Sequence, residues 1–274
     1  MKKVVKQNIE NLIETGVNTS RGRAKTHKIE WTEKTWNPSA GCTKISSGCK
    51  NCYAERLAKR LQAMGQRHYL NGFNLELHHD SLEIPFNWKQ PAVVFVNSMS
   101  DLFHEKVPLT FISKVFDVMS QSPQHIFQVL TKRSERLAKI SGKLSWSPNI
   151  WMGVSVENGD YIYRIEDLKK TKAKIKFVSM EPLLGQMPKI NLSGIDWVIV
   201  GGESGNDNGH YQYRPCQLAW IEKIVNDCKQ NNIPVFVKQL GTYLANKFEF
   251  KDRHGGNINE FPANLQVREF PKHL

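Results

Sequence analysis

No apolar run in the 274 residues is long enough to cross a membrane. The longest, such as Val93–Val96 and Trp197–Val200, have the length of a buried strand, far short of the roughly twenty residues a spanning helix needs. The basic start, MKKVVKQNIENL, is not followed by an apolar segment, so a secretory signal is not expected and the protein reads as soluble and cytoplasmic. Cysteine is scarce and odd in number, five in all. Without an export signal, that argues against a disulfide framework and for metal binding or catalysis. Fixed-period repeats and low-complexity tracts are also missing, which sets aside solenoids and disordered linkers.

What is present suits one barrel-sized α/β domain. Hydrophobic residues make up 40% and aromatics 10% of the chain, enough for a full core. Formal charge is +12. Residues 1–28 carry seven Lys or Arg against Glu10 and Glu14, and read as a basic N-terminal arm. A basic surface favours nucleic acid or another polyanion, and equally describes ordinary solvated charge.

From Trp31 onward the pattern is regular. Six β-rich runs recur at Val93–Asn97, Ile126–Leu130, Ile150–Ser155, Ile175–Ser179, Trp197–Val200 and Pro234–Val237. Helix-period stretches lie between several of them. Phe111–Met119 has the spacing of a core-facing helix, with weaker versions at Arg133–Ile140, Tyr161–Lys169 and Leu218–Lys229. Tyr53–Met64 places Leu57, Leu61 and Met64 on one face and stops at Gly65. Alternating strands and helices predict a parallel sheet with both faces covered. A further strand just before Cys42 brings the count to about seven, a complete or partial parallel (β/α) barrel over 29–242. Residues 243–274 read as a C-terminal extension, a small hairpin or lid beside the mouth.

Each apolar run ends in chemistry: Asn97-Ser98-Met99-Ser100-Asp101, Thr131-Lys132-Arg133, Ser155-Val156-Glu157, Ser179-Met180-Glu181-Pro182, Gly201-Gly202-Glu203-Ser204 and Lys238-Gln239. In a parallel barrel these carboxyl ends converge on one rim, where such folds build their sites.

Cys42, Cys49 and Cys52 form a C-x6-C-x2-C run. Three close thiolates can hold three irons of a [4Fe–4S] cluster and leave the fourth open. Ser46, Ser47 and Gly48 suit a tight loop, and Cys52 opens a helix whose positive end favours thiolate. The rivals are a zinc site completed by His68, His78 or His79, and three structural cysteines.

The cysteine loop opening a helix in a β/α barrel resembles the radical S-adenosylmethionine superfamily. More closely the chain resembles the phage-associated three-Cys-motif family of radical-SAM-like proteins. The likeness runs from about Ile29 to Pro271, through Trp36-Asn37-Pro38, Tyr53-Ala54-Glu55-Arg56, the six strand ends above and Glu181-Pro182-Leu183-Leu184-Gly185. It departs in its first cysteine gap, six residues where the superfamily usually has three. The resemblance implies a [4Fe–4S] cluster, S-adenosylmethionine as cofactor, and an electron donor such as a flavodoxin or ferredoxin.

Under that resemblance, Ser155 and Glu157 are expected to contact the cofactor. Asn97, Ser98, Ser100 and Asp101 stand where the superfamily binds the methionine amine. Glu203 and Ser204 follow glycines that permit close approach to a ligand, and are read as binding groups. Lys132, or Arg133 in its place, and Lys238 are candidates for carboxylate or phosphate binding, and Glu181 points into the mouth. Cys228 shares a helix face with Ile221, Ile224 and Val225 and reads as a core residue. Cys216 is a candidate hydrogen-atom donor. The leading substrate class is nucleic acid or a nucleotide, on the charge, the arm and the Tyr211–Tyr213 aromatics. Radical modification of a peptide or partner protein competes with it. So does a non-catalytic iron–sulfur or zinc nucleic-acid-binding module of a phage or defence complex.

Overall fold

The computed structural model describes residues 29–206 and 212–271. The basic arm and Tyr211 lie outside them. Strands β1 (Lys34–Trp36), β4 (Val93–Val96), β5 (Ile126–Thr131), β6 (Ile150–Ser155), β7 (Ile175–Met180), β8 (Trp197–Gly201) and β9 (Val235–Gln239) form one sheet in chain order, every neighbouring pair parallel. The sheet curls into a half-barrel with β1 and β9 at its two edges. β2 (Ser39–Ala40) and β3 (Glu76–Leu77) pair antiparallel in a small separate sheet, so the segment just before Cys42 belongs to that sheet and the first barrel strand ends earlier. Flanking helices are α1 (Tyr53–Ala63), α2 (Leu109–Gln121), α3 (Ser134–Ile140), α4 (Tyr163–Lys169), α5 (Leu218–Gln230) and α6 (Thr242–Lys247).

Strict alternation along the strands divides the core in two. Val94, Val96, Phe127, Val129, Met152, Val154, Val178, Val198, Val200 and Val237 pack against helix residues such as Ile112, Val115, Leu137, Ile165 and Ile224, on the outer face. Cys216 and Cys228 belong to that helical layer. The alternate residues Val93, Phe95, Ile126, Trp151, Ile175, Phe177, Trp197, Ile199 and Phe236 form a second cluster with Trp31 and no helix, on the concave face. Its floor is aromatic. Trp31 lies 4.7 Å from the Phe95 ring and Phe270 stacks on Trp197 at 5.2 Å.

The tail covers an edge. Val237 N–H donates to the Val267 carbonyl, Glu269 N–H to the Val235 carbonyl, and Phe236 bridges Arg268 antiparallel. The extension thus pairs with β9 rather than with itself, satisfying backbone groups that an open edge would leave bare. Among the described residues no helix is long and apolar enough to cross a membrane.

Candidate functional site at the mouth of the half-barrel

The concave alternation continues upward from the aromatic floor into polar residues: Gln128, Ser155, Ser179, Gly201 and Lys238 within the strands, then Glu157, Glu181 and Glu203 two residues further on. The cysteine loop crosses this rim. After Gly41, which bridges Ser100, the chain makes a 3-10 turn at Ser47–Cys49, and Cys52 caps α1, its carbonyl accepting from Arg56 N–H. All three cysteines are free thiols and partly exposed.

Three tethers hold that loop. Arg133 donates to Cys42 Sγ at 3.4 Å, to the Thr43 carbonyl at 3.1 Å and to Asp101 Oδ2 at 3.1 Å. Glu157, fully buried, accepts from Ser46 Oγ and Lys132 Nζ, each at 2.6 Å, and from Arg164 Nη1 at 2.9 Å. Glu203 accepts from Asn51 Nδ2 at 3.1 Å and from the Arg214 guanidinium, which itself donates to the Ser47 carbonyl at 2.8 Å. Gly48 permits the middle tether, because a Cβ there would stand 2.4 Å from Glu157 Oε1.

The electrostatics separate the thiols. Burial pushes Cys42 up to about 11, with Asp101 adding to the rise and Arg133 opposing it. Burial also raises Cys52, against the amides of Glu55 and Ala54 at the start of α1. At Cys49 burial opposes the thiolate, yet backbone hydrogen bonds from Ile45 and Ser46, the Lys132 charge and the Ser46 hydroxyl outweigh it, and the thiol is lowered. Burial likewise opposes the Glu157 carboxylate, but Lys132, Ser46 and Arg164 hold it below the usual range.

Several candidate ligand-binding groups are therefore already occupied by the protein. Besides Glu157, Lys132 and Glu203, the Asp101 carboxylate accepts from Phe103 N–H, Thr131 Oγ1, Lys132 N–H and Arg133. Asn97, Ser98 and Ser100 are stitched to the strand leading into the cysteine loop. Asn97 donates to Ser39 Oγ, Ser98 to Asn37 Oδ1 and Ser100 to the Ser39 carbonyl. The glycines before Glu203 approach protein, not open space: a Cβ on Gly202 would stand 2.3 Å from the Leu240 carbonyl oxygen, and one on Gly201 2.8 Å from Glu181 Oε1. Cys216 is buried in the helical layer, its thiol pushed up to about 12 by burial, and packs as a small core residue like Cys228.

Other groups of the mouth are less satisfied. Lys238 Nζ stands 3.4 Å from Glu181 Oε1, ion-pair distance without hydrogen-bond geometry, while Glu181 Oε2 accepts from Ser179. Ser204 Oγ, Asn97 Oδ1 and both amide atoms of the fully buried Gln128 have no hydrogen-bond partner.

The histidines considered for zinc are engaged elsewhere. His68 stacks on His78 at 4.0 Å and pairs with Asp80 at 3.2 Å, and His79 meets Phe111 edge-on. Among the described residues no three His, Cys, Asp or Glu side chains are drawn together closely enough to hold a single metal ion. An iron–sulfur cluster calls for soft thiolate ligands, and Cys42, Cys49 and Cys52 are three such donors on one loop.

Sequence reasoning missed Arg164, Arg214 and Asn51, and it read Ser46 as a loop former without its bond to Glu157; these partners lie up to 167 residues away. It also missed Gln128, although a Gln inside Ile-Phe-Gln-Val-Leu was a visible anomaly.

Fold and site together define an open parallel half-barrel of α/β class that carries a three-cysteine loop across its carboxyl rim. Residues 26–265 match a family described as Protein of unknown function (DUF5131), and the chain belongs to that family. Comparison with curated proteins and with solved structures found no match.

Proposed function

We propose that this chain is a radical S-adenosylmethionine enzyme whose Cys42, Cys49 and Cys52 hold a [4Fe–4S] cluster, acting on a nucleic acid or nucleotide in the reducing cytoplasm. The observation that carries the reading is the placement of three free thiols on one loop at the mouth of a parallel half-barrel, tethered from three rim segments. When bound, such a cluster supplies the electron that cleaves S-adenosylmethionine reductively to a 5′-deoxyadenosyl radical, with a flavodoxin or ferredoxin as upstream donor.

The chain's own residues have separable tasks. Arg133, Glu157 and Glu203 fix the loop. Cys52 receives the amides at the start of α1. Glu181 and Lys238 present an acceptor and a donor to a ligand's ammonium and carboxylate, and Ser155 and Ser204 offer hydroxyls. A charge of +12 favours a polyanionic substrate over a neutral peptide.

The test is anaerobic purification with iron and sulfide analysis, a visible spectrum and a dithionite-driven assay for 5′-deoxyadenosine. Broad visible absorbance, lost when all three cysteines are changed to Ala, with deoxyadenosine formed on reduction, is the expected result. A colourless protein holding stoichiometric zinc after iron-replete expression overturns the reading. Deoxyadenosine formation with no salt-dependent affinity for DNA or RNA would move the substrate to a peptide.

A further inference from the structure

Arg133 spends its whole guanidinium on the protein. The residue joins β5 to α3. Its N–H donates to Thr131 Oγ1 at 2.9 Å and its carbonyl accepts from Leu137 N–H at 3.0 Å, so both elements fix its backbone. The side chain is buried, 3% exposed. A guanidinium carries five N–H donors in a rigid fork. Here Nε donates to Glu105 Oε1 at 2.9 Å, and Nη1 to Asp101 Oδ2 at 3.1 Å and Cys42 Sγ at 3.4 Å. Nη2 donates to the Thr43 carbonyl at 3.1 Å and to Thr43 Oγ1 at 3.0 Å. Every donor has an acceptor, and one of the acceptors is a cysteine sulfur.

The two bonds to Thr43 already tie Arg133 to the loop, and Asp101 and Glu105 already balance its charge. The bond to Cys42 Sγ is surplus to both tasks and acts on the sulfur. The other thiols are served differently. Cys49 is bonded by the Ser46 hydroxyl and by backbone groups of Ile45 and Ser46, and Cys52 by the amides of Glu55 and Ala54. A charged donor makes a stronger hydrogen bond than a neutral one. Hydrogen bonds to the sulfurs and local net charge are among the factors that set an iron–sulfur potential. Both have one sign here. Without Arg133, Cys42 would lose an electron-withdrawing donor and would face Asp101 and Glu105 unopposed.

We propose that Arg133 acts through Cys42 to raise the reduction potential of the cluster, a role beyond holding the loop. The inference rests on the iron–sulfur reading of the three cysteines and makes Cys42 the electron-poor ligand among them. Lysine cannot replace Arg133: it keeps the charge, but its three donors sit on one nitrogen and do not span Cys42, Thr43 and Asp101 as a planar fork does.

The test is a dye-mediated reductive titration of the cluster-loaded full chain, read by visible absorbance and EPR. Native protein is compared with Arg133→Lys and with Arg214→Lys, which weakens a tether to the Ser47 carbonyl and leaves the Cys42 bond in place. At a fixed potential the reduced-to-oxidised ratio is expected to fall about tenfold in Arg133→Lys, equal to about 59 mV for a one-electron couple. In Arg214→Lys it should stay near the native value. An unchanged ratio in Arg133→Lys, or equal falls in the two variants, overturns the inference. A second measurement needs no substitution at 133. Pulsed EPR of the reduced cluster in Arg214→Lys, grown with isotope-labelled arginine side chains, should show a coupled guanidinium nitrogen, and its absence overturns the inference as well. Native protein that holds no iron after anaerobic purification from iron-replete cells overturns the iron–sulfur reading itself, and the inference falls with it.

Discussion

The carboxylates at the mouth of the half-barrel fall into two groups built on opposite principles. Glu157 and Asp101 have both oxygens occupied by the protein, and Glu203 is closed by Arg214 and Asn51. Glu181, which follows the strand between those that lead to Glu157 and Glu203, is held loosely, its Oε1 standing 3.4 Å from Lys238 without hydrogen-bond geometry. A buried charge with its full set of partners costs least when nothing changes around it. A buried polar atom with none is costly until something arrives. The first group fixes the glycine-containing cysteine loop, and the second keeps an acceptor oxygen unfilled.

Truncating one carboxylate of each group breaks the comparison most sharply. Glu157→Ala strands Arg164, which is 1% exposed, and releases the half-buried Lys132. Loss of about 3–5 kcal/mol is expected from the uncompensated buried Arg164 charge. Glu181→Ala strands no fully buried cation, only the half-buried Lys238, and should cost about 1–2 kcal/mol, between the exposed and the buried limits. Urea unfolding of the two variants measures the gap. Equal losses would mean that Glu181 is structural too.

Acid titration sharpens the same contrast at smaller scale. Glu157 is lowered from 4.5 in the folded protein, so its stabilising contribution is fully present above that value and is lost as pH falls through the folded pKa. Unfolding free energy of the native chain should drop with acid below about pH 4.5. Glu157→Gln, less stable at neutral pH, should show a shallower acid limb. Parallel limbs in the two proteins would assign the acid loss to other carboxylates.

The scaffold was legible where periodicity carries it. Ile150–Ser155 was read with its observed bounds, and the other five runs differ by a residue or two at their ends, because strands buried on both faces announce themselves as unbroken apolar runs. The helix stop at Gly65 was visible for the same kind of reason. The face that α1 buries was legible only in part. Of Leu57, Leu61 and Met64, Leu61 packs with Ala54 and Ala58 around Met99, while Leu57 and Met64 stay exposed. Which rim carboxylates would be consumed internally was also hidden. Glu157, Glu181 and Glu203 look alike in sequence, and only Arg164 and Arg214, arriving from α4 and from the approach to α5, distinguish them. The motif positions of the three cysteines were readable, whereas the tethers that hold them depend on pairings 90–167 residues apart.

The cysteine loop also divides within itself, and chemical modification reads that division. Thiolate, not thiol, is the nucleophile. Cys49 is lowered by backbone hydrogen bonds, Lys132 and Ser46 working against burial, whereas Cys42 is pushed up to about 11 and Cys52 is raised. A lowered pKa means a larger thiolate fraction at any pH below it. In metal-free protein at pH 8, iodoacetamide should therefore label Cys49 severalfold faster than Cys42 or Cys52, followed by mass spectrometry of the 42–52 peptide. Lys132→Met removes one of the lowering groups and should narrow the difference, with Cys42 little changed. Equal labelling of all three thiols in the native chain would show that the Glu157–Lys132 tether does not reach the loop in solution, and the filled group of the comparison would then lose its central member.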